Sequence, residues 1–120
     1  MKLSDKEWTV LEALWEKENA ELGEITDSLK KKTAWSANTV HTYLTRMEAK
    51  GMVCINKSVT PHTYKAALRK DECQRNERKN FLHRVYSGST SDLITAFLKE
   101  EKISTEERDK LKKLLDEMEV

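Results

Sequence analysis

Apolar positions along this chain recur first at helical spacing, then in alternation, then at helical spacing again. Trp8, Leu11, Leu14 and Trp15 follow Ser4-Asp5-Lys6-Glu7, a capping-box pattern with Ser4 as N-cap and Glu7 able to reach back. A first helix is expected from about residue 5 to about residue 18. Leu22, Ile25 and Leu29 repeat the spacing, predicting a shorter second helix that ends in Lys30–Lys32. Thr33-Ala34-Trp35 is too short for a full element and at most forms a brief strand that buries Trp35. Ser36 then caps a third helix to Lys50, with Val40, Leu44 and Met47 on one side and Tyr43 beside them. At about 100° per residue, Asn38, Thr42, Thr45 and Ala49 fall opposite, flanked by His41 and Arg46. Gly51 stands where a helix-stopping C′ residue would. Val53 and Ile55, then Tyr64, Ala66 and Leu68, alternate with polar neighbours, predicting two strands joined by the loop Asn56 to His62. Three helices followed by a hairpin are the layout of a winged helix-turn-helix.

Beyond Leu68 the pattern changes. A polar, charged helix from Asp71 to Tyr86 gains apolar residues late, at Phe81, Leu82, Val85 and Tyr86, and Ser87-Gly88 breaks it. Ser89 to Asp92 offers a new N-terminus for a short apolar helix carrying Leu93, Ile94, Phe97 and Leu98. Ser104-Thr105-Glu106-Glu107 is a further capping box, followed by Leu111, Leu114, Leu115 and Met118. Three helices in about 50 residues make a poor core of their own. The apolar surplus fits a matching surface on a second copy, so a homodimer is expected. The expected fold is mainly α with a small β-hairpin: a winged helix-turn-helix over residues 1–70 and a three-helix dimerisation domain over 71–120.

Composition agrees with this layout. Three glycines and one proline in 120 residues fit a mostly helical chain with few sharp turns. There is no run of about 18 apolar residues to span a membrane. The start, MKLSDKEW, lacks an apolar signal segment, so a cytoplasmic protein is expected. Cys54 and Cys73 have no His or Cys at zinc spacing and are read as reduced thiols. Net charge changes the picture most. The total is +1, yet residues 1–29 carry three basic and eight acidic side chains, a net of −5. Residues 30–70 carry nine basic side chains against Glu48 alone, a net of +8, and residues 71–120 carry ten against twelve, a net of −2. Positive charge is therefore localised on the third of the chain that holds the third helix, as for a polyanion-binding surface.

That helix has the chemistry of a DNA-recognition helix. Its early turns present Asn38, His41 and Thr42, short enough to approach base edges; Asn pairs with adenine, and a Thr methyl meets the thymine methyl. Its N-terminus offers backbone N–H donors to phosphate. Ser36, Arg46 and Lys50 are candidate phosphate contacts, and Lys57 and His62 are candidates on the hairpin tip. No sequence pattern points to catalysis. His41, His62 and His83 are scattered, HExxH and Gly-rich phosphate loops are absent, and no cofactor, metal or small-molecule substrate is expected. Two alternatives stand beside this reading: a winged-helix module that binds a protein, and a regulator of an unrelated regulon.

These residues together resemble the penicillinase-repressor family, bacterial repressors of the BlaI/MecI type. The resembling stretches are LSDKEWTVLEALWE at 3–16, GEITDSL at 23–29, WSANTVHTYLTRMEAKGMV at 35–53 and FLHRVYSGSTSDLITAFL at 81–98. The resemblance implies a homodimer whose winged helices bind a palindromic operator of resistance genes while the C-terminal helices of two subunits interlock. Carried over to this sequence, it implies that Ala37, Asn38, His41 and Thr42 face the bases and that Thr39, Thr45 and Arg46 meet phosphate. It also implies relief of repression through a membrane-bound sensor protease pathway that leads to C-terminal cleavage. The family's scissile bond joins an Asn to a Phe; the matching pair here is Ala96-Phe97, so the Asn is missing. Copper-responsive relatives carry C-terminal cysteines, and this chain has none after Cys73.

Overall fold

A computed structural model describes residues 2–120. The chain divides into two compact units, one running to Glu77 and the other spanning Arg78–Val120. The first is a winged helix-turn-helix: α1 (Asp5–Glu16), β1 (Ala20–Glu21), α2 (Leu22–Leu29), α3 (Ala37–Ala49), β2 (Val53–Asn56) and β3 (Thr63–Ala66). The sheet is antiparallel, in the order β1-β3-β2, with Ile55 and Ala20 both opposite Tyr64.

Local chemistry sets these boundaries. At the start of α1 the capping box forms in both directions: Ser4 Oγ accepts from Glu7 N–H at 3.1 Å, and Ser4 N–H donates to Glu7 Oε1 at 2.9 Å. α1 stops at Glu16, two residues short of expectation, and Asn19 turns the chain in the left-handed region (φ 55°). Ala20 and Glu21 then pair with β3. Thr33-Ala34-Trp35, at most a brief strand from its sequence, forms none; the third strand is β1, too short for alternation to reveal it. Trp35 is half-buried by stacking on Tyr43, with ring centroids 4.9 Å apart. α2 ends at Leu29, leaving Lys30–Lys32 in the turn. α3 ends in a full Schellman closure: Gly51 (φ 79°) donates to Glu48 O, and Met52 N–H donates to Met47 O at 2.9 Å.

Packing follows the helical stripes. Val10, Leu11 and Leu14 of α1, Ile25 and Leu29 of α2, and Val40, Leu44 and Met47 of α3 are buried together under Met52, Val53 and Tyr64. Fully burying a Leu, Ile or Met side chain stabilises by about 1.5–3 kcal/mol, so this cluster holds α3 against the other helices. Trp15 adds a specific tie, donating through Nε1 to Leu68 O at 2.9 Å. Leu68 itself lies beyond β3.

α4 (Lys70–Tyr86) crosses the division between the units. The division lies past residue 70 because the first turns of α4 pack with the first unit. There Cys73 is buried and lines a crevice of about 60 Å³ with Leu3, Trp8 and Leu68. In the second unit, Ser87 (φ 50°) and Gly88 (φ 83°) separate α4 from α5 (Thr90–Glu100), which Ser89 caps by accepting from Asp92 N–H. α6 (Thr105–Glu117) starts on Ser104, which accepts from Glu107 N–H at 3.1 Å. The return bond of the expected capping box is not made.

Candidate nucleic-acid interface

α3 presents two opposed faces. Val40, Leu44 and Met47 point into the core, while Ala37, Asn38, His41, Thr42, Thr45 and Arg46 are exposed. The base-facing candidates thus share one solvent-facing surface at the start of the helix. Ser36 and Thr39 serve the cap: Ser36 Oγ accepts from Thr39 N–H at 3.3 Å and lies 3.2 Å from the Thr39 hydroxyl. Thr42 Oγ1 donates to Asn38 O at 2.9 Å, and Thr45 Oγ1 donates to His41 O at 3.0 Å. Both threonine hydroxyls are therefore turned onto the helix backbone.

The basic segment is less positive in space than in sequence. Lys30 pairs with Asp27, Lys32 with Glu12, Lys50 with Glu7 and Lys57 with Glu48. The hydrogen bond to Glu12 raises the Lys32 pKa, holding that ammonium charged. Lys50, a candidate phosphate contact, instead has its Nζ 3.0 Å from Glu7 Oε2, on a carboxylate whose side chain is only 9% exposed. The Ser4 backbone N–H and then Lys50 hold the Glu7 carboxyl below its ordinary pKa, against the opposing effect of burial. Arg46 forms no ion pair among the described residues and stands free on the exposed face of α3. Lys31, within the Lys30–Lys32 run, and Lys65, not singled out from sequence, are also exposed and unpaired among the described residues. For Lys65 the signal was its alternation with buried Tyr64.

At the hairpin tip, Asn56 Oδ1 accepts from the Ser58 N–H at 3.0 Å and from the Ser58 hydroxyl at 2.6 Å, an Asx turn that shapes the wing. Lys57 and His62 flank this tip and are exposed; Lys57 leans 3.4 Å from Glu48.

The second unit buries none of its apolar side chains. Phe81, Val85, Ile94, Phe97, Leu98, Leu111, Leu114, Leu115 and Met118 are exposed, and Leu82, Tyr86, Leu93 and Ala96 are half-buried. Between α5 and α6 runs an open groove of about 550 Å³, lined by Ile94, Phe97, Leu98, Ile103, Leu111 and Leu114. Among the described residues, no cluster of His, Cys, Asp and Glu is placed to hold a metal ion, and no helix is long and apolar enough to cross a membrane.

The family model for the penicillinase repressor matches residues 3–117, nearly the whole chain. The chain belongs to the penicillinase repressor family. It is 27% identical over 114 residues to the methicillin resistance regulatory protein MecI of Staphylococcus aureus (strain N315), covering 95% of this chain and 93% of that protein. It is 26% identical over 118 residues to the penicillinase repressor of Staphylococcus aureus, with 98% and 94% covered. The solution structure of the Bacillus licheniformis BlaI monomeric form in complex with the blaP half-operator matches with a TM-score of 0.52 at 25% identity. That match covers 60% of this chain and 88% of that one. The family is one of transcriptional repressors.

Proposed function

We propose that this penicillinase-repressor family member is a dimeric transcriptional repressor of a β-lactam resistance operon. In this reading residues 1–70 form the DNA-binding domain, and α3 of each subunit enters the major groove of one half of a palindromic operator. The observation that carries it is the exposed face of α3. Asn38, His41 and Thr42 lie together on a helix held rigidly by the core, with Arg46, which has no ion pair among the described residues, alongside. Its support is the likeness to a BlaI monomer bound to a half-operator. Asn38, His41, Thr42 and Ala37 read bases, and Arg46 grips phosphate; Ser36 and Thr39 contribute mainly by presenting the helix N-terminus. Lys57 and His62 reach phosphate from the wing once DNA charge competes with Glu48. Lys50, tied to Glu7, is the weakest of the phosphate candidates.

Residues 71–120 supply the dimer contact, because an apolar surface of this extent on a folded unit calls for a partner. Two recognition helices then sit about 34–36 Å apart, in successive major grooves. Release by a sensor protease pathway belongs to the same reading, with Ala96-Phe97 the matching bond. That bond lies inside α5, so the helix has to open locally before a protease can grip it.

Selection of bound duplexes from a random pool, followed by titration at several salt concentrations, tests the proposal. Recovery of a pseudo-palindrome with half-sites one helical turn apart is the expected result. Absence of salt-dependent binding to any duplex refutes it in favour of a protein-interaction module. A palindrome without connection to resistance genes keeps the repressor and changes the regulon.

A further inference from the structure

On the proposed recognition face the two threonine hydroxyls are spent. Thr42 gives its only hydroxyl proton to Asn38 O at 2.9 Å, and Thr45 gives its own to His41 O at 3.0 Å. Each hydroxyl donates to the carbonyl four residues back along one helix, and both side chains are exposed. A threonine Cβ carries one hydroxyl and one methyl; with the hydroxyl turned onto the backbone, the methyl is the branch left to meet a partner. Thr45 lies almost opposite Met47 on the helical wheel, and Thr42 is about 60° from Thr45, so both methyls belong to the centre of the outer face. An apolar group there has one natural counterpart in a major groove, the thymine 5-methyl.

We infer that Thr42 and Thr45 are specificity-determining residues that read thymine 5-methyl groups with their own methyls, making a T-rich half-site the preferred ligand. This rests on α3 being the recognition helix. It moves Thr45 from a phosphate contact to a base reader. Asn38 and His41, whose carbonyls hold the threonines, keep their side chains free for polar contacts to neighbouring bases.

The test uses the full-length protein and the duplex recovered by selection, with paired substitutions of opposite chemistry. Thr→Val keeps the methyl and deletes the hydroxyl; Thr→Ser keeps the hydroxyl and deletes the methyl. Thermal melting establishes that each variant is folded. T42V and T45V, which keep a methyl, are expected to lose less affinity than the matching serine variants. T42S and T45S are each expected to lose about fourfold in affinity per half-site, the equivalent of ~0.8 kcal/mol for one buried methyl-sized group. Replacing each thymine of the site in turn by deoxyuridine should cost a similar factor at one or two positions, and T42S or T45S should abolish that cost at its own position. Loss of affinity in the Val variants with retention in the Ser variants overturns the inference, because the hydroxyl then does the reading. Indifference to both substitutions, or to deoxyuridine everywhere, also overturns it. A parent protein that binds no duplex refutes the repressor reading itself, an outcome distinct from either.

Discussion

The Lys50 ammonium, at the end of α3, sits 3.0 Å from the Glu7 carboxylate in the first turn of α1, across 43 residues of sequence. Glu7 simultaneously closes the capping box with Ser4, so one carboxylate both starts α1 and fixes the far end of α3. The pair is asymmetric: the Lys50 side chain is 58% exposed and Glu7 is 9% exposed. The buried member therefore carries most of the effect.

Glu7→Ala is expected to destabilise the winged helix by about 1–2 kcal/mol, the range for losing a cap together with a partly buried partner. Lys50→Ala should cost no more than about 1 kcal/mol, as for an exposed pair. The Glu7 pKa is lowered in the folded state, so its contribution is fully present above the unfolded value of about 4.5 and is lost as pH falls through the folded value. Melting curves between pH 6 and 3, wild type against Glu7→Gln, check this: the two should converge as the pH falls. Parallel curves across that window would remove the role given to the carboxylate.

Arg46→Ala should weaken binding to every duplex by a similar factor and lower the slope of log affinity against log salt by about 0.9 per subunit, one phosphate contact. Titrations on the selected site and on random DNA measure it. An effect confined to one base position would instead make Arg46 a base reader.

Asn38→Ala should do the reverse. About 1–3 kcal/mol of discrimination is expected to vanish at a single base position, with binding to random DNA little changed. Competition with single-position operator variants reports this, and uniform weakening contradicts it.

Phe97→Glu and Leu114→Glu place a charge in the apolar groove of the second unit. Either is expected to convert a sedimenting dimer to monomer while the melting transition of the winged helix persists. Affinity for a full palindrome should then drop towards that for a half-site. A variant that stays dimeric would mean that this groove is not the contact.

The parts of this molecule that sequence reveals are those fixed within one element. Ser36, Gly51 and the Val40–Leu44–Met47 stripe delimit α3 because a cap, a left-handed stop and a core face are each local requirements. The hairpin was equally legible, since Val53/Ile55 and Tyr64/Ala66 alternate in and out of a half-buried sheet. β1 was not: two residues, Ala20 and Glu21, have no period, and only Tyr64 and Thr63 opposite them make them a strand. Nor were the partners of the lysines, because Glu7, Glu12 and Glu48 reach them through tertiary folding. The Thr42 and Thr45 hydroxyls are an intermediate case: their i−4 acceptors are fixed by the helix, but the choice between backbone and groove is made by the rotamer.

The internal pairing of Lys30, Lys32, Lys50 and Lys57 bears on how fast such a protein finds its target. Cations held by their own carboxylates must exchange that partner for a phosphate, so they displace fewer ions from the condensed layer on random DNA and residence there is shorter. A chromosome offers random sequence in vast excess over operators. Internal charge compensation thus shortens each unproductive stop, and the time saved goes to scanning.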